Sequence, residues 1–372
     1  MSADSTTDSA RWQGPAQLLA LLLLLYGFFV GLDLMGLAFK LFGRGFAEML
    51  IEQTANPLVG LFVGVLATSL VQSSSTTTSM TVGLVAAGAL TVEGAIPVIM
   101  GANIGTSITN TLVSLAHVTR REEFERAFAG ATVHDFFNLL AVAILLPVEM
   151  ATGYLARVAT ILEVGLEGTA GIKLFDPLRA VVRPVAEGVV GLVGDSGIIT
   201  LIIGVALLMA CLKFLVDLLK AIMSARAERI LHATVLRSTI AAVTAGMLMT
   251  VMVQSSSITT SAMIPLVGAG IVTLEQMFPL TIGANLGTTI TAMLAALATG
   301  NPAAVTVAFA HVMFNVSATL LVFMPPPLRR IPLAMARAMG RVGSRNRLLA
   351  AVYIIVVFFL VPLSLLLISG AL

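Results

Sequence analysis

Two runs of Gln-Ser-Ser-Ser stand inside otherwise apolar sequence: Gln72, Ser73, Ser74 and Ser75, then Gln254, Ser255, Ser256 and Ser257. Hydroxyl and amide groups both donate and accept hydrogen bonds. They carry no net charge, so taking them out of water costs far less than burying an ion. A second motif follows each run: Gly101, Ala102, Asn103, Gly105 and Thr106 after the first, Gly283, Ala284, Asn285, Gly287 and Thr288 after the second. Closely spaced glycines favour a break in a helix, and the Asn and Thr beside such a break supply oxygens.

The chemistry these groups suit is ion binding. A hairpin tip exposes backbone N–H groups at one helix end and C=O groups at the other. The N-terminal end attracts anions, while free carbonyls and hydroxyls suit a hard cation such as sodium. An oxyanion and an alkali cation can therefore bind side by side. The motifs contain no Lys or Arg, and an anion held by amides, hydroxyls and a co-bound cation leaves more readily than one held in an arginine clamp.

The elements that must position these groups are membrane spans. Of 372 residues, 58% are hydrophobic and 11% charged, with a mean hydropathy of +1.01. Soluble domains carry about 25% charged residues, so most of this surface must face lipid. A net charge of +2 argues against a nucleic-acid partner. The single cysteine, Cys211, lies in an apolar run and reads as an inert packed thiol. Residues 1–10 are polar and lack the basic start of a signal peptide; a short disordered tail is expected over 1–15.

Spans of about 20 apolar residues fall at 16–38, 95–116, 127–149, 198–219, 277–298, 303–324 and 349–368. The apolar regions 57–89 and 238–270 are each interrupted by a polar core and read as re-entrant hairpins. Residues 151–195 read as amphipathic interfacial segments, and 325–347 as a basic loop. The organisation is a tail (1–15), a first membrane half (16–150), a linker (151–195), a second half (196–324), the basic loop (325–347) and a final span (348–372).

The halves are copies. At an offset of 182, residues 72–109 and 254–291 share 21 of 38 positions. At an offset of 177, His134, Phe137 and Asn138 match His311, Phe314 and Asn315. If the hairpins dip and return, each half crosses the membrane three times, and an odd number inverts the second copy. One face then receives 14 Lys or Arg and the other six. By the positive-inside rule the N-terminus is cytoplasmic and the C-terminus extracytoplasmic. The expected fold class is an all-α polytopic membrane protein of two inverted repeats, each with a re-entrant hairpin and a broken transmembrane helix.

A lone Ser-rich patch in a membrane helix is more often packing than chemistry; two copies with matching Gly, Asn and Pro argue against that. His134, Asp135 and His311 are intramembrane ionisable groups, and a structural pin between helices is an equally good reading of each His. Glu93 and Glu275 read as solvated or capping residues.

The stretches around Gln72 and around 96–107, 126–138 and 279–289, with Gln254 to Ser257, resemble both repeats of the type II sodium/phosphate cotransporters, over most of the chain from residue 57 onward. The resemblance implies sodium-coupled symport of inorganic phosphate by alternating access. It implies that Gln72, Ser73, Ser74, Ser75, Ser255, Ser256 and Ser257 line the phosphate site. It likewise assigns sodium to Gln254, Ser255, Asn285, Thr288 and Thr291, with Asn103 and Thr106 as first-repeat counterparts. No cofactor is implied beyond Na+ as coupling ion, and no transition metal. Partners are phosphate, Na+ and the lipid bilayer; a homodimer is left open. The chain departs from animal members in lacking their large disulfide-bonded loop and their last span. It also has Arg120 in the connector region where some members place a sodium-coupling acid. Its compactness points to a bacterial inner membrane. The alternatives are a transporter of another oxyanion such as sulfate or arsenate, a channel, and an intramembrane serine hydrolase. The last is disfavoured because Val312 follows His311 where Asp135 follows His134, and because no nucleophile-elbow sequence is present.

Overall fold

The computed structural model describes residues 5–168, 176–222 and 238–371. Helices account for almost all of them, and no strand occurs among the described residues. Seven helices there are long and apolar enough to cross a membrane: Pro15–Phe42, Val92–His117, Arg121–Thr152, Gly197–Leu215, Leu274–Thr299, Pro302–Phe323 and Arg347–Ile368. They coincide with the seven expected spans. The protein is a multi-pass, all-α membrane protein.

In chain order, α1 (Ser5–Phe42) is the first span and α2 (Arg44–Thr54) a short connector. The first hairpin is α3 (Pro57–Val71) and α4 (Ser74–Ala86). Next come α5 (Val92–Gly105), α6 (Ile108–Ser114) and α7 (Arg121–Thr152). The linker forms α8 (Tyr154–Gly168) and α9 (Asp176–Leu192), and α10 (Gly197–Ile222) opens the second half. The second hairpin is α11 (Thr239–Val253), α12 (Ser256–Ser261) and α13 (Ile264–Gly268). It leads to α14 (Leu274–Thr299) and α15 (Pro302–Ala318). Helix α16 (Pro326–Arg345) precedes the last span, α17 (Arg347–Ile355) and α18 (Val361–Ile368).

Local sequence explains the boundaries. Asn56 and Asn301 each cap a helix that starts with Pro, accepting from Leu58 N and Ala303 N; proline lacks the N–H that would otherwise be orphaned there. Thr91 and Thr273 cap α5 and α14, the second in a full capping box with Gln276. The hairpin arm α3 packs on α5, and its counterpart α11 packs on α14. A Cβ at Gly101 would collide with the Leu61 carbonyl, and one at Gly283 with the Val243 carbonyl. Backbones touch at these crossings, as small residues permit in membranes.

Three expectations change. The glycines of the second copy do not break their helix: α14 runs uninterrupted through Gly283 and Gly287, because both glycines are used for close packing on α11. Only the first copy has an irregularity, at Thr106 and Ser107 between α5 and α6. The basic stretch 325–347 is not a loop. It is amphipathic α16, which buries Leu333, Ala336 and Gly340 and packs on α7. Helix α1 starts at Ser5, inside the expected tail, and residues 1–4 lie outside the described ones. The linker helices are two-faced: Leu155 and Ala159 of α8 and Val182, Ala186 and Val190 of α9 are buried, against α15 and α1 respectively, while residues 169–175 are outside the described set.

Candidate functional site

Each Gln-Ser-Ser-Ser run is the turn of a hairpin. Helix α3 ends at Gln72, which adopts the left-handed region at φ 55°, and α11 ends identically at Gln254, φ 55°. Side chains pay about 1–2 kcal/mol for that conformation, and such strain gathers at functional sites. The next residue caps the return helix. Ser73 Oγ accepts from Thr76 N at 3.2 Å, and Ser255 Oγ accepts from Ile258 N at 3.4 Å. Hydroxyls clasp the arms: Thr68 donates to Thr77 and Thr250 to Thr259, each at 2.9 Å.

Both turns line one cavity of about 580 Å³. Its wall includes Gln72, Ser73 and Ser75 from the first turn and Gln254, Ser255 and Ser257 from the second. The turns also touch directly: Ser75 Oγ donates to the Gln254 carbonyl at 3.3 Å. Ser74 and Ser256 are buried and lie outside the wall. Ser75 and Thr76 of the first turn of α4 are on this wall, and the N-terminal end of a helix suits an anion.

The residues assigned to sodium separate into two places. Thr291 Oγ1 donates to Gln254 Oε1 at 2.6 Å, so Gln254, Ser255 and Thr291 form one oxygen-rich corner beside the cavity. Thr288, one turn earlier on α14, donates to the Asn285 carbonyl at 2.6 Å. Asn285 and Asn103 are instead held in a buried chain of side chains. His134 Nε2 donates to Asn285 Oδ1 at 2.6 Å, Asn285 Nδ2 to Asn138 Oδ1 at 2.8 Å, and Asn138 Nδ2 to the Asn103 carbonyl at 2.7 Å. Asn103 Nδ2 then donates to His311 Nε2 at 3.2 Å. Thr106 donates to the Ala102 carbonyl of its own helix at 2.9 Å.

Sequence reading missed four participants. Lys213 and Asp217 of α10 lie on the cavity wall, as does Thr109. Lys213 brings a positive charge to this wall and Asp217 a negative one. The signal for it was a Lys and an Asp four positions apart at the end of an apolar span. Asn110 accepts from Thr260 at 2.9 Å and so joins α6 to the second hairpin. Its counterpart in the other copy is Ala292, and Thr78, the counterpart of Thr260, has a buried hydroxyl with no partner.

Among the described residues His134 and Asp135 do not form a serine-hydrolase triad with a motif serine. His134 bonds Asn285, and Asp135 accepts from Tyr353 at 2.9 Å.

The family model described as Na+/Pi-cotransporter matches residues 27–165 and 207–325. The chain belongs to the Na+/Pi-cotransporter family. Among curated relatives it is similar to sodium-dependent phosphate transport protein 2B of Pongo abelii and of Homo sapiens, each 36% identical over 455 residues and covering 95% of this chain. Sodium-dependent phosphate transport protein 2A of Rattus norvegicus is 35% identical over 416 residues, covering 91% of the chain. The chain spans 65% of the length of these relatives. No solved structure matches it significantly. The Na+/Pi-cotransporter match contains both Gln-Ser-Ser-Ser turns, the whole of α7, and α14 with its asparagine.

Proposed function

We propose that this protein carries inorganic phosphate into the cell together with sodium, by alternating access around the cavity between the two Gln-Ser-Ser-Ser turns. The observation that carries this reading is the meeting of both turns on one cavity wall. Phosphate sits against Ser73, Ser75 and Ser257 and the N-terminal amides of α4, with Lys213 balancing part of its charge. Sodium takes the corner of Gln254 Oε1, Ser255 and Thr291 Oγ1, beside the anion. The names of the relatives, sodium-dependent phosphate transport proteins, support both cargoes.

The reciprocal bonding of the two halves supports the alternating part. His134 of the first half bonds Asn285 of the second, and Asn103 of the first bonds His311 of the second. Equivalent residues exchange places, as they do across a two-fold axis. With three crossings per half that axis lies in the membrane plane, the N-terminus is cytoplasmic, and rocking one half against the other exposes the cavity to each side in turn. A bacterial inner membrane is the proposed location.

The test is uptake of labelled phosphate into proteoliposomes. Accumulation driven by an inward sodium gradient supports the reading. Uptake that is unchanged when potassium or choline replaces sodium removes the coupling, and sulfate or arsenate competing better than phosphate reassigns the anion.

A further inference from the structure

A second cavity, of about 520 Å³, lies apart from the transport turns, between α16, the first turns of α14 and the π turn that ends α15. Its lining includes Arg329, Arg330 and Arg337 together with Phe278, Phe323 and Leu333. Its volume is within the roughly 300–1,000 Å³ usual for ligand sites. Among the described residues Glu275 is the one carboxylate on the wall, and it is paired with Arg337. No carboxylate among the described residues pairs with Arg329 or Arg330. The described residues of the wall therefore carry two more positive charges than negative ones.

The arginines are arranged for an anion. The Arg329 guanidinium stands 5.6 Å over the Phe323 ring, which restrains its fork; a guanidinium fork matches phosphate oxygens in pairs. Position adds the second half of the argument. Helix α16 joins two spans, so it lies at the boundary of the hydrocarbon. Next to the cavity, Met324, Ile331 and Met335 expose apolar side chains. Arginines and aromatic rings in one lining, with an apolar flank, together suit a phosphate group carried on an acyl chain.

We infer that Arg329 and Arg330 bind a phosphate-bearing anion in this cavity, separate from the transported cargo. The phosphate group is the shared chemistry of two sources, an anionic phospholipid headgroup and free inorganic phosphate. The aromatic part of the lining gives an occupant a path to the transport machinery. Phe278 belongs to α14 and stacks edge-on with Phe323 at 5.3 Å and with Phe137 at 5.8 Å. Phe137 in turn precedes Asn138, the centre of the buried His–Asn chain.

Thermal unfolding of the full chain in neutral detergent tests this, read by labelling of the single, buried Cys211. Probes are dioctanoyl phosphatidylglycerol, dioctanoyl phosphatidylcholine and inorganic phosphate, on wild type and on Arg329→Gln/Arg330→Gln. Arg330→Gln alone serves if the double variant shows no cooperative transition. The expected result is a larger rise in Tm with phosphatidylglycerol than with phosphatidylcholine in wild type, with that excess lost in the variant and the rise from inorganic phosphate kept. A phosphate rise lost in the variant, with no lipid excess in wild type, assigns the cavity to the free ion. An excess that survives in the variant, or no response of any probe to the substitutions, overturns the site.

Discussion

His134 and Asn285, 151 residues apart, are joined by a 2.6 Å hydrogen bond in the buried centre of the protein. Both are shut off from solvent, and the bond ties α7 of the first half to α14 of the second. A buried polar pair in a membrane protein typically contributes about 0.6–1.7 kcal/mol. A double-mutant cycle with His134→Leu and Asn285→Leu should give a coupling energy in that range, read from unfolding in detergent. The apparent KM for phosphate should change little, because neither side chain is on the cavity wall. Strict additivity of the two single losses would show that the bond contributes nothing.

The serines are not equivalent. Ser75 and Ser257 face the cavity, whereas Ser74 and Ser256 do not. Ser75→Ala and Ser257→Ala should each raise the KM for phosphate by about tenfold, the equivalent of ~1.4 kcal/mol. Ser74→Ala and Ser256→Ala should stay within about threefold of wild type by the same conversion. Equal effects at all four positions in an uptake assay would mean that the turn as a whole, and not its cavity-facing hydroxyls, is what matters.

The proposed sodium corner is tested most directly at Thr291, whose hydroxyl donates to Gln254 Oε1 at 2.6 Å. Thr291→Val keeps the shape and removes the oxygen. Its sodium half-saturation should rise about tenfold, with phosphate affinity at saturating sodium nearly unchanged. A shift confined to phosphate would move Thr291 out of the cation corner.

Lys213 adds an exposed positive charge to the cavity. An exposed charge contributes up to about 1 kcal/mol, so Lys213→Gln should raise the phosphate KM by up to about fivefold. The difference should shrink as salt is raised from 0.01 M toward 1 M, where screening is nearly complete. Lys213→Arg should retain most of the affinity. A loss independent of salt would point to packing instead of charge.

Gly283 has no room for a methyl group against the Val243 carbonyl, whereas Gly36 has nothing near it. Gly283→Ala should destabilise the protein by about 1–3 kcal/mol. Gly36→Ala should be neutral or slightly stabilising, by up to ~1 kcal/mol through helix propensity. Thermal unfolding of the two variants side by side checks the contrast.

Much of this protein is legible in the order of its residues. Apolar runs of sufficient length mark the seven spans found among the described residues, because a bilayer imposes length and composition directly. The polar interruptions mark the hairpin turns, since Gln72 and Ser73, like Gln254 and Ser255, end one helix and cap the next through purely local bonds. Repetition marks the two halves. What the repeat does not encode is which copy a side chain meets. Two Asn and two His at matching positions allow pairing within a half or between halves, and only packing of α7 on α14 and α15 on α5 selects the crossed arrangement. The glycines of the second copy, whose spacing favours a break, instead serve the close crossing of α11 on α14, because the neighbouring backbone takes the space a side chain would need. Lys213 and Arg329 come to line their cavities for the same reason. A residue's depth in the membrane follows from its neighbours in sequence, but the wall it joins is decided by helices that are distant along the chain.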